Sequence, residues 1–234
     1  MKKIIFITLL LVSISGFSQY HTTYDWSDTP TINKINSDES KESSIAILKK
    51  KIIEFSQSEI TNDIAVFETT HNIIRVNNEA GVARHTQIYI PMYRVNKIVS
   101  LKARTITKDG KVTDLDENNI KQIENVDDYG DFQIFAIEGA EIGSEIEVLY
   151  TLKKDYSPFG SESFQTDYTI QRAEMVFITN NLLGQIKTYN TDQEFERTYL
   201  DNILVEELVI SNILPVATED YAATDANKIY AVYQ

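Results

Sequence analysis

The chain offers few side chains that could bind a metal ion or catalyse a reaction. Its 234 residues include 3 histidines and no cysteine, and the histidines are His21, His71 and His85. On a hairpin predicted around Asn78, His71 and His85 would share one face and could begin a zinc site. Such a site needs at least a third protein ligand, and the sequence has no short-spaced histidine pair and no thiol. The pattern therefore favours polar histidines on the solvent side of a sheet.

Carboxylates are the most abundant reactive groups in the chain. Asp and Glu total 35 against 22 Lys and Arg, which gives a net charge of -13 and argues against a nucleic-acid partner. Glu138 with Glu141, and Glu145 with Glu147, are pairs of the residue type that glycoside hydrolysis uses. Such pairs are expected by chance in an acidic chain, and Glu145 and Glu147 alternate with apolar residues, which predicts a solvent-facing side of a strand. A carboxylate-based hydrolase is therefore the least favoured hypothesis.

Acidic and aromatic loops are the other candidate binding groups. Residues 114–119 approximate the opening of a calcium loop, but Asn119 replaces the sharp-turn glycine, and residues 127–131 form a second acidic turn. Solvated loops are favoured at both places, while weak calcium binding stays open. Aromatic rings at loop tips can stack on sugars or anchor a partner, although plugging the ends of a sandwich is the favoured role here. These aromatics are Tyr129, Phe132, Tyr156, Phe159 and Phe164. They support an alternative hypothesis, a module that binds extracellular glycan or peptide.

The first residues have the layout of a secretory signal peptide. Lys2 and Lys3 precede an apolar run over 4–12, and small residues spaced three apart lead to Ser18. The run is shorter than the roughly 20 apolar residues of a spanning helix, so it predicts cleavage near Ser18 rather than a membrane anchor. Residues 1–18 are thus predicted to be removed. This predicts a secreted or periplasmic protein with no integral membrane segment.

The rest of the chain divides into a polar arm and a β-rich domain. Residues 19–44 are rich in Thr, Ser, Asp and Asn and show little periodicity, which predicts a linker or a loosely docked arm. Apolar residues over 45–55 fit either a helix or a strand. From Ile64 onward, segments rich in β-branched residues alternate with Gly, Asn and Asp. Residues 45–234 are therefore predicted to form an all-β, mainly antiparallel sandwich.

Turn residues predict how several of these strands connect. Residues 77–81 are predicted to return the chain from a strand over 64–76 along residues 82–90. Asp109-Gly110 predicts a tight hairpin between strands over 98–107 and 111–115, because glycine readily takes the positive φ that such turns need. Further strands are predicted over 132–137, 145–153, 164–171, 174–179, 186–189 and 227–234.

A series of segments in the β-rich region resembles a known family. In chain order they read HNIIRVNN (71–78), IYIPMY (88–93), KARTITKDGKV (102–112), FAIEG (135–139) and GSEIEVLY (143–150). Together they resemble the β-rich domain of unknown function found near the N-terminus of secreted bacterial transglutaminase-like proteins. The resemblance extends from about residue 45 to the end of the chain. It favours a strand for residues 45–55.

The resemblance implies a signal peptide, then this β domain, and usually then a papain-like transglutaminase core with Cys, His and Asp. The present chain has no cysteine, so no transglutaminase or peptidase activity is carried over to it. It is expected to be either a truncated member or a stand-alone version of the noncatalytic part. The leading hypothesis is a bacterial noncatalytic domain that uses no cofactor. Its expected partner is a transglutaminase-like or peptidase-like domain in cis, another extracytoplasmic protein or a glycan.

Overall fold

The fold is described here from a computed structural model. It covers residues 20–57, 61, 63–116, 118, 120–123, 131–180, 184–216 and 228–234. The predicted signal peptide over 1–18 lies outside the described residues. Within them, no helix is both long and apolar enough to cross a membrane. The all-β prediction is confirmed, because the described ranges contain fourteen strands and only two short α-helices.

The strands and helices are numbered in chain order. The strands are β1 (Ser44–Gln57), β2 (Ile64–Val76), β3 (Gln87–Pro91), β4 (Val95–Ile106), β5 (Val112–Asp114), β6 (Lys121–Ile123), β7 (Phe132–Ala136), β8 (Glu145–Lys154), β9 (Gly160–Ser163), β10 (Ile170–Asn180), β11 (Ile186–Tyr189), β12 (Glu196–Leu200), β13 (Ile203–Ile213) and β14 (Tyr230–Tyr233). The helices are α1 (Tyr20–Thr23) and α2 (Glu79–His85), and a 3-10 turn spans Glu39–Lys41. Residues 45–55 lie in β1, so the strand favoured by the resemblance is confirmed.

Eight strands form a main sheet in the order β12-β13-β10-β1-β2-β8-β4-β5. Neighbouring strands are antiparallel except β1 and β10, which run parallel with Ile52 opposite Val176. Two smaller sheets have three strands each, in the orders β11-β14-β9 and β3-β7-β6. The prediction of a mainly antiparallel fold is therefore confirmed, with one parallel pair at the centre of the main sheet.

One face of the main sheet forms the apolar core with the two small sheets. A first cluster joins β1, β2, β10 and β13 to β11 and β14 around Phe177 and Tyr233. A second cluster joins β4 and β8 to β3 and β7 around Val148 and Phe135. Because side chains alternate along a strand, only every second residue of the main sheet reaches these clusters. The other residues lie on the opposite face, and their cover comes from elsewhere in the chain.

The predicted hairpin over 98–115 is confirmed. Strands β4 and β5 are antiparallel, with Thr105 opposite Thr113. Gly110 has a φ of 86° in the connecting turn. A left-handed φ of this kind is strained for residues with a side chain, so the glycine of the Asp-Gly pair suits this turn.

The predicted return of the chain after Asn77 is wrong. Residues 79–85 form α2, and β2 instead pairs with β1 and β8. Asn78 begins the helix, because its side chain accepts a hydrogen bond of 3.0 Å from the Gly81 amide. A Cβ on Gly81 would lie 1.9 Å from the carbonyl oxygen of Ser43, so glycine also allows α2 to approach the chain before β1. His71 and His85 therefore do not share a hairpin.

The segment predicted as a strand over 164–171 is mostly a connection between β9 and β10. Phe164 still donates a backbone hydrogen bond to Ile229. The chain then turns at Thr166, whose hydroxyl accepts from the Tyr168 amide at 3.4 Å. Local hydrogen bonds of this kind compete with strand pairing, which explains why the apolar pattern here did not form a longer strand.

His85, the last residue of α2, has an environment that opposes its protonation. Its Nε2 atom lies 2.9 Å from the hydroxyl of Ser44. Burial lowers the pKa of His85 to about 4, and the nearby charge of Arg84 acts in the same direction while Asp167 opposes it. The ordinary value is 6.5, so between these values the unfolded chain binds a proton that the folded chain excludes. Stability contributed by neutral His85 is therefore lost as the pH falls from 6.5 towards 4.

We expect His85→Gln to weaken the pH dependence of stability. In the original chain, acidification from pH 7 to pH 5 should remove about 1 kcal/mol through His85, after allowance for solvent screening of a half-buried group. The variant should lack this component. Urea unfolding of both proteins at the two pH values measures it, and the same decrease in both would contradict the assignment.

Candidate functional site

The face of the main sheet opposite the core carries charged side chains that are largely buried. We call it the polar face. Its charged residues include Lys50, Glu54, His71, Lys102, Arg75, Arg104, Glu145, Glu147 and Glu174, of which Lys102 is about half exposed and the others are largely buried. Glu145 and Glu147 are only 1% and 4% exposed. Their predicted position on a solvent-facing side is therefore wrong. The alternation along β8 is as expected, but a further layer covers this face.

The covering layer is the N-terminal segment over residues 20–36, which we call the arm. At its start, the main-chain nitrogen and Nδ1 of His21 both lie 2.9 Å from Oε2 of Glu54. The imidazole ring of His21 stacks on Phe67 with ring centroids 3.6 Å apart. The segment predicted as a linker or a loosely docked arm is thus held on the sheet by buried polar and aromatic contacts.

A chain of hydrogen bonds links the arm to the centre of the polar face. The Tyr24 hydroxyl lies 2.7 Å from Nδ1 of His71, and Nε2 of His71 lies 2.8 Å from Glu147. Since an ionised carboxylate can only accept, Nε2 carries the hydrogen, and in the neutral ring Nδ1 is left to accept from Tyr24. Burial raises the pKa of Tyr24, which keeps its hydroxyl protonated as this arrangement requires. His71 is therefore a buried connecting residue, and its predicted exposure to solvent is wrong.

Arg104 completes this network from β4. Its Nε donates to Oε2 of Glu147 at 2.6 Å, and its Nη2 donates to the main-chain carbonyl of Ser27 at 2.8 Å. The guanidinium lies 4.2 Å from the ring centre of Trp26, within cation–π range. The arm therefore supplies both a carbonyl and an aromatic ring to a buried cation.

A second buried ion pair lies further along the arm. Arg75 donates to Oε1 of Glu145 at 2.6 Å and to the carbonyl of Asn33 at 2.7 Å. The amide nitrogen and the side-chain nitrogen of Asn33 in turn donate to the two oxygens of Glu145, at 2.9 and 2.8 Å. Asn33 thus donates to Glu145 and accepts from Arg75. Its polar groups replace the water that the arm excludes.

This arrangement does not suit the chemistry of a carboxylate pair. Both oxygens of Glu145 and of Glu147 are bonded to donors, including Arg75 and Arg104, and both residues lie beneath the arm. In the described part of the chain, no three His, Asp or Glu side chains group as a metal site requires. The acidic loop around Asp114 is described only in part, and residues 127–130 of the second acidic turn lie outside the described residues.

A cleft with a volume of about 370 Å³ opens on the other face of the main sheet, where two small sheets cover the core. Its floor comes from β1 and β2 and includes Lys51 and Glu68, while Glu162 of β9 stands beside them. Tyr93 and Phe159 also line it and are 75% and 68% exposed. The cleft therefore combines a charged floor with aromatic rings that solvent can reach.

Lys51 on the charged floor leaves hydrogen-bonding capacity unused, whereas Glu68 accepts from Lys154 at 3.2 Å. Nζ of Lys51 lies 3.9 Å from carboxylate oxygens of both Glu68 and Glu162, which exceeds hydrogen-bond distance. Burial would lower the pKa of Lys51, but the nearby Glu162, Tyr150, Glu68 and Tyr233 together outweigh it and raise the pKa above its usual value. For neighbouring Lys49, burial dominates and lowers the pKa. Lys51 is therefore a protonated amine. A ligand oxygen placed between its Nζ atom and a carboxylate oxygen could hydrogen-bond to both.

The loop aromatics predicted as candidate binding residues occupy different places. Phe164 is buried in the first core cluster and is not available to a ligand. Phe132 is half-buried in β7. Phe159 lines the cleft, and the ring of Tyr156 makes a T-shaped contact with Phe55, which also lines it. Tyr129 lies outside the described residues.

Sequence reasoning did not identify the cleft residues Lys51, Glu68 and Tyr93. Lys51 lies in a run of three lysines, and Glu68 is one of 35 acidic residues, so neither stands out by type. The available signal was position, because Lys51 and Glu68 occupy the core-facing positions of β1 and β2, where apolar residues are expected.

Comparison with known proteins gives a family match and a structural likeness. The DUF3857 family, described as a domain of unknown function with a solved structure, matches residues 62–200, which is more than half of the chain. The crystal structure of a candidate protease from Parabacteroides distasonis matches with a TM-score of 0.70 and 13% identity, over 82% of this chain and 40% of that protein. The likeness shows a shared fold, and this chain spans only part of that protein's length.

A further solved structure, Legionella pneumophila aminopeptidase A in complex with aspartic acid, matches more weakly. Its TM-score is 0.43 at 8% identity, over 82% of this chain and 21% of that protein. No curated protein matches the chain in sequence.

We expect Arg104→Met to lower the free energy of unfolding by about 3 kcal/mol, because it leaves the Glu147 carboxylate buried without its main cation. The matched control is Lys102→Met, two residues away on the same face. Lys102 binds Asp25 at 2.6 Å, but both side chains are about half exposed, so the loss should be below about 1 kcal/mol. Urea unfolding followed by far-ultraviolet circular dichroism measures both variants. Equal losses would show that the buried pair contributes no more than the exposed one.

Proposed function

Because this chain belongs to the DUF3857 family, a family of unknown function, we propose that it is a noncatalytic domain that packs on or scaffolds a transglutaminase-like or peptidase-like catalytic domain. One observation carries the proposal. The candidate protease from Parabacteroides distasonis shares this fold over 82% of the present chain, yet the matched part is only 40% of that protein. The proposal requires a protein in which this β domain is joined to a longer second part, and the Parabacteroides protein has that arrangement.

The residues available for chemistry also support a noncatalytic role. The chain has no cysteine for a transglutaminase-type nucleophile. Glu145 and Glu147, the pair considered for hydrolysis, are bound to Arg75, Arg104 and His71 beneath the arm. The catalytic groups would therefore come from the partner domain. The signal-peptide pattern over 1–18 supports a site of action outside the cytoplasm of a bacterium.

The β12 edge of the main sheet is the surface that suits a partner domain. Among the described strands, β12 pairs only with β13, so its outer backbone groups remain available for hydrogen bonding. Tyr199 and Leu200 are 71% and 41% exposed on this strand. An unpaired edge with exposed apolar side chains is a surface on which another chain can add a strand or pack.

The proposal predicts that a catalytic domain encoded with this chain associates with it through β12. Sequencing the DNA beyond the codon for Gln234, and the adjacent genes, should identify a domain with Cys, His and Asp. When the two are produced together, Tyr199→Lys should weaken their association at least about tenfold, because it places a charge in an apolar contact.

The control for this experiment is Val112→Lys on β5, the strand at the other edge of the main sheet. Association measured by sedimentation velocity should be unchanged in that variant. Two results would contradict the proposal. One is a catalytic domain whose thermal stability and kcat/KM are the same with and without this chain. The other is amide hydrolysis or transamidation by this chain alone.

A further inference from the structure

We propose that the cleft between the two small sheets binds a neutral saccharide chain. Lys51, Glu68 and Glu162 would bind the hydroxyl groups of the sugar, and Tyr93 and Phe159 would stack on its rings. This inference goes beyond the proposed noncatalytic role, because it assigns a ligand to this chain itself. The cleft is also lined by different residues from the β12 edge.

The floor of the cleft suits hydroxyl groups because it offers a donor and acceptors side by side. The Lys51 ammonium can only donate, whereas the carboxylates of Glu68 and Glu162 can only accept. A hydroxyl does both, so one sugar hydroxyl placed among them could accept from Lys51 and donate to either carboxylate. The separation of 3.9 Å leaves the Lys51 ammonium and the Glu162 carboxylate free of hydrogen bonds to each other. Glu68 already accepts from the Lys154 ammonium at 3.2 Å, and its remaining lone pairs can accept from a ligand.

The aromatic residues provide the second part of the site. Tyr93 and Phe159 line the same cleft and leave about three-quarters and two-thirds of their surfaces in water, at 75% and 68% exposure. Flat rings with few rotatable bonds bury a large area at low entropic cost when a ligand stacks on them. A pyranose ring offers a matching apolar face of C–H groups. The cleft volume of about 370 Å³ lies within the usual range of small-molecule sites.

The charge of the cleft favours a neutral ligand. Its ionisable lining residues include the cations Lys51, Arg94 and Lys154 and the acidic residues Glu68, Asp155 and Glu162. These three cations and three carboxylates balance, in a chain whose net charge is -13. A strongly charged ligand would meet repulsion from one of the two sets, whereas an uncharged polar chain can hydrogen-bond to both.

The strand beside the cleft argues for a saccharide over an extended peptide. β9 pairs with β14 on one side, and its other edge could in principle accept an added peptide strand. However, β9 has only 4 residues, and the carbonyl of Ser163 already accepts a hydrogen bond from the Lys49 ammonium. The edge is therefore short, and one of its carbonyl groups is already hydrogen-bonded. It cannot offer a peptide a ladder of backbone hydrogen bonds.

Titration of the purified chain with neutral hexasaccharides tests the proposal. The probes are cellohexaose, maltohexaose, mannohexaose and N-acetylchitohexaose, and a hexapeptide of alternating Ala and Ser serves as the peptide probe. Calorimetry should show saturable binding of at least one saccharide and none of the peptide. Tyr93→Ala and Phe159→Ala should each weaken binding about fivefold, through loss of stacking. Lys51→Met should weaken it about tenfold.

The control variant is Tyr199→Ala, which removes a similarly exposed ring on β12 and should leave saccharide binding unchanged. The proposal is wrong if none of the four saccharides binds, or if neither Tyr93→Ala nor Phe159→Ala affects binding. Binding of the peptide alone, abolished by the same substitutions, would reassign the cleft to peptides. Should Lys51→Met fail to fold, the variants at the exposed residues Tyr93 and Phe159 still decide the result. Because the chain is tested alone, this outcome is independent of any association with a catalytic domain.

Discussion

The burial of paired charges on one face of the main sheet is the constraint to which the rest of the structure is fitted. Removing Glu147 and Arg104 from water is costly, and their mutual attraction offsets that cost only when their remaining hydrogen-bonding groups also find partners. The arm supplies those partners through Tyr24 on His71 and Ser27 on Arg104. The opposite face needs a different cover, because its side chains are mainly apolar and pack against two small sheets. The protein is therefore three layers, a polar arm, a wide sheet and two narrow sheets, and the two interfaces of the wide sheet are held by different forces.

Local patterns were sufficient to predict strands and one tight turn, but they could not predict what covers each strand. The hairpin at Gly110 follows from residues adjacent in the chain, and so does the alternation of Glu145 and Glu147 with apolar neighbours. That alternation separates two faces without showing that both are covered. The cover for Glu145 is Asn33, which lies 112 residues earlier and belongs to a segment with no periodicity of its own. The prediction of a turn after Asn77 was wrong for a related reason. Asn and Gly suit both a turn and the start of a helix, and the close approach of Gly81 to Ser43 favours the helix.

The cleft follows from the difference in width between the layers. Eight strands on one side face two groups of three on the other, and the small sheets meet the main sheet as two separate clusters. Phe159 could be singled out from the sequence because it is an aromatic residue in a loop. Lys51 and Glu68 could not, since their proximity to Glu162 depends on where the β11-β14-β9 sheet is placed. A lysine in the core-facing row of a central strand is tolerated here because carboxylates from two sheets surround it.

The long sequence separations in the arm and the main sheet also set the order in which the molecule can assemble. The arm precedes every described strand, yet its bonds to Glu145 of β8 and Arg104 of β4 require these two strands to be side by side already. The parallel pair of β1 and β10 has the same consequence, because β1 cannot form these backbone hydrogen bonds until β10 is in place. Contacts between distant parts of a chain form slowly, since the entropy of closing long loops is lost before the contacts stabilise the product. The arm lies before all the described strands in the chain, and we therefore expect it to be among the last segments to reach its place.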